Sequence, residues 1–123
     1  MLATPPLSLY IHIPWCVRKC PYCDFNSHEA PADIPERDYI DVLLDDFDRD
    51  YSECSSREIV SIFIGGGTPS LFSGAGFDRI LGHLRRYGNL AENIEVTMEA
   101  NPGTAEAKKF SDFRAAGINR LSL

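Results

Sequence analysis

Hydrophobic and polar residues alternate strictly along residues 7–13, where the sequence is LSLYIHI. A period of two predicts a β-strand, because successive side chains of a strand point to opposite faces. Residues 94–100 show the same alternation, and residues 58–64, EIVSIFI, are apolar enough for a strand buried on both faces. A fourth strand is predicted to begin at Ile118.

The segments between these strands carry apolar residues at helical spacing. They predict three helices, near residues 34–51, 77–87 and 105–116. Asp33 and Glu36 resemble a capping box that opens the first helix, and Gly88 and Gly117 follow the ends of the other two. Strands that alternate with helices indicate an α/β fold with parallel strands and right-handed crossovers.

One face of the first and third strands is polar, and its residues are Ser8, Tyr10, His12, Thr97 and Glu99. In a barrel of parallel strands, one strand face packs against the outer helices and the other points inward. These side chains are therefore predicted to face a polar lumen.

Three unusual stretches each follow directly on a predicted strand. They are a cysteine-containing loop after residue 13, GGGTP at residues 65–69 and MEANPG at residues 98–103. Active sites of parallel barrels lie on the loops at the carboxyl ends of the strands. The three stretches are therefore expected to meet on one rim and to form one site.

The cysteine loop places Cys16, Cys20 and Cys23 within eight positions, and Cys54 is the remaining cysteine of the chain. Thiolates bind zinc and iron–sulfur clusters. A zinc site needs a fourth ligand, which Cys54, His12 or His28 would have to supply without a familiar spacing. A 4Fe–4S cluster held by three thiolates instead leaves one iron open to a cofactor or substrate. Three unrelated buried thiols are the remaining interpretation.

The GGGTP stretch lacks the Lys-Ser/Thr ending of a phosphate-binding loop and does not match G-x-G-x-x-G. Consecutive glycines allow a backbone to approach a ligand closely. A plain tight turn after a strand would have the same composition, so this motif alone leaves both interpretations open.

The composition of the chain indicates which binding partners and which cellular compartment to expect. A formal net charge of −6 argues against a nucleic-acid partner and against a polybasic membrane anchor. The first residues show neither a signal peptide nor a transmembrane span. A cytoplasmic location is therefore expected, where clustered cysteines indicate metal binding or catalysis rather than disulfides.

Taken together, the motifs resemble the radical S-adenosylmethionine (SAM) superfamily. The CxxxCxxC spacing is similar to its cluster motif, and GGGTP is similar to its glycine motif. The resemblance is strongest to the branch of oxygen-independent coproporphyrinogen III oxidases and related heme chaperones. It is carried by LSLYIHIPWC, CPYCDFNSH, IFIGGGTPSL, MEANPGT and GINRLSL.

The resemblance implies the N-terminal part of a radical SAM partial (β/α) barrel of the TIM type. It also implies that Cys16, Cys20 and Cys23 ligate a 4Fe–4S cluster whose open iron chelates SAM. The positions similar to the family's SAM-binding residues are Tyr10, Tyr22, Gly66, Gly67, Thr68 and Glu99. Cys54 is expected to be a bystander, and His83 a solvated surface residue.

At one position, this chain differs from the oxidases of this branch and is similar to the heme chaperones. The oxidases carry a further cysteine where this chain has Phe25, and the heme chaperones share its Asp-Phe-Asn pattern. The resemblance therefore implies a heme chaperone that binds heme and passes it to acceptor proteins. Two alternatives stay open: an oxidase that decarboxylates porphyrinogen propionates by radical chemistry, and a zinc-stabilised binding module. Whether the protein is an enzyme depends on which of these applies.

The resemblance also implies how much of the radical SAM core domain residues 1–123 contain. Residues 1–123 are expected to be the N-terminal portion of a radical SAM core domain, because four strands do not close a barrel and leave an unpaired edge. The heme-binding residues are then expected beyond residue 123.

Overall fold

The computed structural model describes residues 6–16, 28–29, 35–54, 57–100 and 107–122. In chain order, the elements in these ranges are β1 (Leu7–Ile13), β2 (Trp15–Cys16), β3 (His28–Glu29), α1 (Glu36–Ser52), β4 (Ile59–Gly66), α2 (Gly74–Tyr87), β5 (Leu90–Glu99), α3 (Ala107–Ala116) and β6 (Arg120–Ser122). One turn of 3-10 helix lies at Pro69–Leu71. None of the helices in these ranges is long and apolar enough to cross a membrane.

The main sheet has four strands in the order β1-β4-β5-β6, and every neighbouring pair is parallel. This confirms the predicted α/β class and the parallel strand direction. A separate two-stranded sheet pairs β2 with β3, also in parallel, with Trp15 opposite His28. All carboxyl ends of the main strands therefore lie at the same edge of the sheet.

The hydrophobic core lies between one face of the main sheet and the three helices. The strands contribute Ile11, Ile13, Ile62, Ile64, Val96 and Met98, and the helices contribute residues such as Phe77, Leu81, Leu84 and Phe113. Fully burying one such side chain stabilises the fold by about 1.5–3 kcal/mol. This shared core holds the strand ends in a fixed relation to one another.

The opposite face of the sheet carries the polar residues predicted from the alternation. Ser8 and Ser61 hydrogen-bond through their hydroxyls at 2.8 Å, and Tyr10 is 55% exposed. The prediction that β4 is buried on both faces is wrong, because Phe63 points to this face and is 36% exposed. Within the described ranges, all three helices belong to the core on the other face.

The start of α1 differs from the predicted capping box. Its N-cap is Pro35, with no side-chain cap, and Asp33 lies outside the described residues. Glu36 instead accepts hydrogen bonds from the backbone N–H and the hydroxyl of Ser73, each at 2.7 Å. Ser73 in turn caps α2 by accepting from Gly76 N at 2.9 Å. This cap starts α2 at Gly74 rather than near residue 77.

The ends of the other elements are close to the predictions, with two corrections. Gly117 ends α3 in the left-handed region at a φ of +122°, as its position predicts, but Gly88 follows α2 with an extended backbone. Strand β5 begins at Leu90, earlier than predicted. His83 is only partly solvated, because its side chain is 19% exposed and its Nε2 lies 2.8 Å from Asp48 Oδ1 on α1.

Candidate functional site

The carboxyl ends of β1, β4 and β5 bring the predicted motifs to one edge of the sheet. His12 lies opposite Gly65 and Ile13 opposite Gly66 in the β1–β4 pairing. Glu99, the last residue of β5, lies opposite Ser122 of β6. The glycine motif and Glu99 therefore share a rim with the end of β1, where the cysteine loop begins.

The glycine-rich loop is tied to the residues that lead into Cys16. Gly67 N donates to the carbonyl of Ile13 at 2.7 Å, and Thr68 N donates to the carbonyl of Trp15 at 2.6 Å. Gly66 adopts a φ of +114°, a conformation that L side chains rarely take. This loop therefore requires glycine at residue 66.

Three side chains converge above Gly65. A Cβ added at this glycine would lie 2.6 Å from Glu99 Oε1, 2.9 Å from Phe63 Cε1 and 3.2 Å from Tyr10 Cε2. Because Gly65 has no side chain, the side chains of Glu99, Phe63 and Tyr10 can occupy the space above it. Tyr10 and Glu99 share the face of the sheet opposite the helices, as the alternation predicts, and the lumen that they are expected to face stays a prediction.

Tyr10 forms an aromatic pair beside Glu99. Its ring stacks on Phe63 with centroids 6.0 Å apart and an interplanar angle of 14°, and its hydroxyl lies 3.1 Å from His12 Nδ1. Desolvation, and secondly the negative charge of Glu99, raise the pKa of Tyr10 above its ordinary value. The phenol therefore stays neutral and able to donate a hydrogen bond at physiological pH.

A cavity of about 290 Å³ opens at this rim, lined by Phe63, Gly67, Thr68, Pro69, Glu99, Ala100 and Ser122. Gly67, Thr68 and Glu99 are predicted site residues, whereas the other four were missed from sequence. Phe63 carried a usable signal, because it lies two residues before Gly65 and so shares its face of the strand. Ser122 lines the cavity through a strand pairing that only the folded sheet provides.

The cysteines are only partly covered by the structure. The backbone of Cys16 lies in β2, next to Trp15, whereas Cys20, Tyr22 and Cys23 lie outside the described residues. The cluster ligand set therefore stays a prediction. Cys54 lies with Leu7 and Ile59 at the opposite edge of the sheet, which disfavours it as a fourth ligand beside Cys16.

Comparison with known proteins defines the class. The model of the Radical SAM superfamily matches residues 10–123. The chain therefore belongs to the radical SAM superfamily. Membership implies SAM and an iron–sulfur cluster, and it favours the cluster interpretation of the three cysteines over zinc.

Individual relatives show which members of the superfamily this chain is similar to. The heme chaperone HemW of Escherichia coli (strain K12) is 55% identical over 123 residues, which are 100% of this chain and 32% of that protein. A mitochondrial radical S-adenosyl methionine domain-containing protein 1 from Bos taurus is 36% identical over 116 residues, covering 94% of this chain and 26% of that protein.

A solved structure supports the same fold. The chain matches the coproporphyrinogen III oxidase HemN from Escherichia coli with a TM-score of 0.84 and 30% identity, covering 94% of this chain and 27% of that one. The parallel sheet and the helices of this chain match part of the structure of that radical SAM enzyme. The chain spans about a third of the length of the curated relatives it matches.

Proposed function

We propose that this chain belongs to a heme chaperone that holds a 4Fe–4S cluster and SAM, binds heme and transfers it to acceptor proteins. The similarity to HemW, at 55% identity over the whole chain, is the observation that carries the proposal. Residues 1–123 would form the N-terminal portion of its radical SAM core domain. A cytoplasmic location, expected from composition, belongs to the same proposal.

Cys16, Cys20 and Cys23 would hold the cluster, which when bound offers one iron without a protein ligand for the amino and carboxylate groups of SAM. The position of Cys16 supports this assignment. It follows Trp15, whose carbonyl accepts a hydrogen bond from Thr68 N of the glycine-rich loop. The first cluster ligand and the proposed SAM loop are therefore neighbours.

The rim cavity suits the amino-acid end of SAM. The N–H groups of Gly67 and Thr68 already donate to β1 and Trp15. The acceptors of this loop and the Glu99 carboxylate are thus the groups suited to a positively charged amino group. The neutral Tyr10 phenol is a donor suited to a carboxylate. Gly66, and Tyr22 outside the described residues, complete the proposed contact set.

An oxidase is the second candidate, because the fold match to HemN is close. In that case, the same cofactors would serve the decarboxylation of a porphyrinogen. Phe25, in place of the additional cysteine of the oxidases, favours the chaperone. The two functions differ in what happens to coproporphyrinogen, which permits a direct test.

The test uses the full-length protein, reconstituted anaerobically with iron and sulfide. We expect added heme to bind, measured as a shift of its main visible absorbance band. Coproporphyrinogen III, incubated with SAM and a reductant, should be recovered unchanged by chromatography. Conversion to protoporphyrinogen that disappears in Cys16→Ala would contradict the chaperone proposal and establish the oxidase.

A further inference from the structure

Tyr39 lies on α1, outside the cysteine, GGGTP and MEANPG motifs, yet its side chain reaches the rim. Its hydroxyl donates a hydrogen bond to the backbone carbonyl of His12, near the end of β1. Desolvation, followed by the negative charge of Asp46 and then Tyr10, raises the pKa of Tyr39 above its ordinary value. The hydroxyl therefore remains protonated and keeps its donor role at physiological pH.

The ring of Tyr39 also holds the residue that precedes Cys16. It packs edge-on against Trp15, with ring centroids 5.0 Å apart at 79°, and against Phe72, with centroids 6.0 Å apart at 83°. Trp15 and Phe72 contact each other as well, at 6.0 Å. Phe72 is completely buried and packs on Phe77 of α2, so this aromatic group is anchored in the core.

The segment from His12 to Trp15 is thus held from two sides. Tyr39 contacts it through the His12 carbonyl and the Trp15 ring. The glycine-rich loop contacts it through the carbonyls of Ile13 and Trp15. One side of this short segment faces the proposed SAM loop, and its carboxyl end continues into Cys16.

From this arrangement we infer that Tyr39 is a positioning residue that sets the segment from His12 to Trp15, which leads into Cys16, against the glycine-rich loop. It would thereby hold the cluster at the correct distance from the SAM subsite. This inference rests on the cluster and SAM assignments of the proposed function. Without the hydroxyl of Tyr39, the end of β1 would lose its hydrogen bond to α1, while the two backbone bonds to the glycine-rich loop remain.

The chain offers a matched control on the same helix. The hydroxyl of Tyr51 donates to the carbonyl of Arg57 at 2.7 Å and accepts from Asn89 N at 3.0 Å. Its ring stacks on Phe47, with centroids 5.1 Å apart. Tyr51 therefore links backbone segments as Tyr39 does, but at the amino end of the strands, away from the rim.

The experiment compares Tyr39→Phe with Tyr51→Phe in the full-length, anaerobically reconstituted protein. Both changes remove one hydroxyl and keep the ring, so both variants should fold with a modest loss of thermal stability. We expect Tyr39→Phe to retain its iron content but to raise the Kd for SAM about five- to tenfold, the effect of losing one hydrogen bond. The electron paramagnetic resonance spectrum of its reduced cluster should respond differently to added SAM. Tyr51→Phe should match the wild type in both measurements.

Each outcome decides the inference. A Tyr39→Phe protein with wild-type SAM affinity and spectrum would overturn it. Equal losses of SAM affinity in both variants would also overturn it, because they would reflect general destabilisation. A wild-type protein that assembles no cluster or binds no SAM would refute the proposed function itself, and the inference with it.

Discussion

Alanine replacements at the neighbouring glycines Gly65 and Gly66 should separate ligand binding from folding. At Gly65, the three atoms nearest to a new Cβ all belong to the far ends of side chains, those of Glu99, Phe63 and Tyr10. At Gly66, the nearest atom is the backbone carbonyl oxygen of Ile13 at 2.5 Å, and the φ of +114° disfavours any L residue. The first change moves site residues, and the second strains the backbone.

The expected magnitudes differ accordingly. A side chain moved off its preferred rotamer costs about 0.5–1.5 kcal/mol, which bounds the folding cost of Gly65→Ala. A non-glycine residue in a rarely populated backbone region costs about 1–3 kcal/mol, and the overlap with Ile13 adds to it in Gly66→Ala. The same loss of folding free energy lowers Tm less in a longer protein, so the two variants are compared with each other in the same full-length protein. We expect the fall in Tm for Gly66→Ala to be at least twice the fall for Gly65→Ala.

Gly65→Ala should weaken SAM binding although its folding cost is small. Gly65→Ala displaces Glu99 and Tyr10, so the proposed SAM subsite loses interactions although the fold survives. Loss of one hydrogen bond to a charged group, about 1.5–3 kcal/mol, corresponds to a weakening of SAM binding by roughly tenfold or more. Calorimetry of SAM binding and thermal denaturation of the reconstituted full-length protein would measure the two effects separately.

Gly82→Ala serves as the control. A Cβ at this position on α2 meets nothing within 4 Å, and alanine is favoured over glycine inside a helix by roughly 0.5–1 kcal/mol. This variant should be slightly more stable and should bind SAM normally. Wild-type SAM affinity in Gly65→Ala, or a fall in its Tm as large as that of Gly66→Ala, would contradict this prediction.

Two further predictions concern the cluster and a polar pair on the exposed sheet face. Alanine at any one of the three motif cysteines should abolish the iron–sulfur absorbance after reconstitution, whereas Cys54→Ala should retain it; loss of absorbance in Cys54→Ala would contradict the ligand assignment. Hydrogen bonds from Arg120 and Thr97, and then the charge of Arg120, lower the pKa of Glu95. Its stabilising contribution is therefore present above the ordinary pKa and is lost as the pH falls through the lowered value. Arg120→Gln should raise the Glu95 pKa in an NMR titration, and an unchanged pKa would refute this assignment.

Local patterns in the sequence were sufficient for the main elements of the fold. The alternation at residues 7–13 predicts β1 with its observed bounds, because a period of two records which face of a strand is buried. The same parity places Tyr10 and Glu99 on the face away from the helices. The parallel arrangement follows from strands that alternate with helices, since a crossover returns the chain to the same end of the sheet.

The parallel direction of the strands made the shared rim predictable. Each motif directly follows a strand, and all parallel strands end at one edge, so the meeting of the glycine motif with Glu99 required no knowledge of side-chain packing. The cysteine spacing likewise carries its chemistry within eight residues of the sequence.

Contacts between distant residues were decided only by the tertiary structure. Glu36 was expected to cap its own helix, but it binds Ser73, 37 positions away, because α1 and α2 lie side by side. His83 pairs with Asp48 across the same two helices, and its side chain is 19% exposed. A helical pattern shows which face of a helix is apolar, but not which polar residue of another helix will lie opposite.

The same reason explains why Tyr39 and the environment of Gly65 escaped prediction. The carbonyl that Tyr39 binds is 27 positions away along the chain, and Gly65 is covered by side chains from two neighbouring strands. Such contacts depend on the register of β1 against β4 and on the packing of α1 over the sheet. Register and packing arise from the simultaneous burial of many side chains, so no single local stretch of sequence contains them.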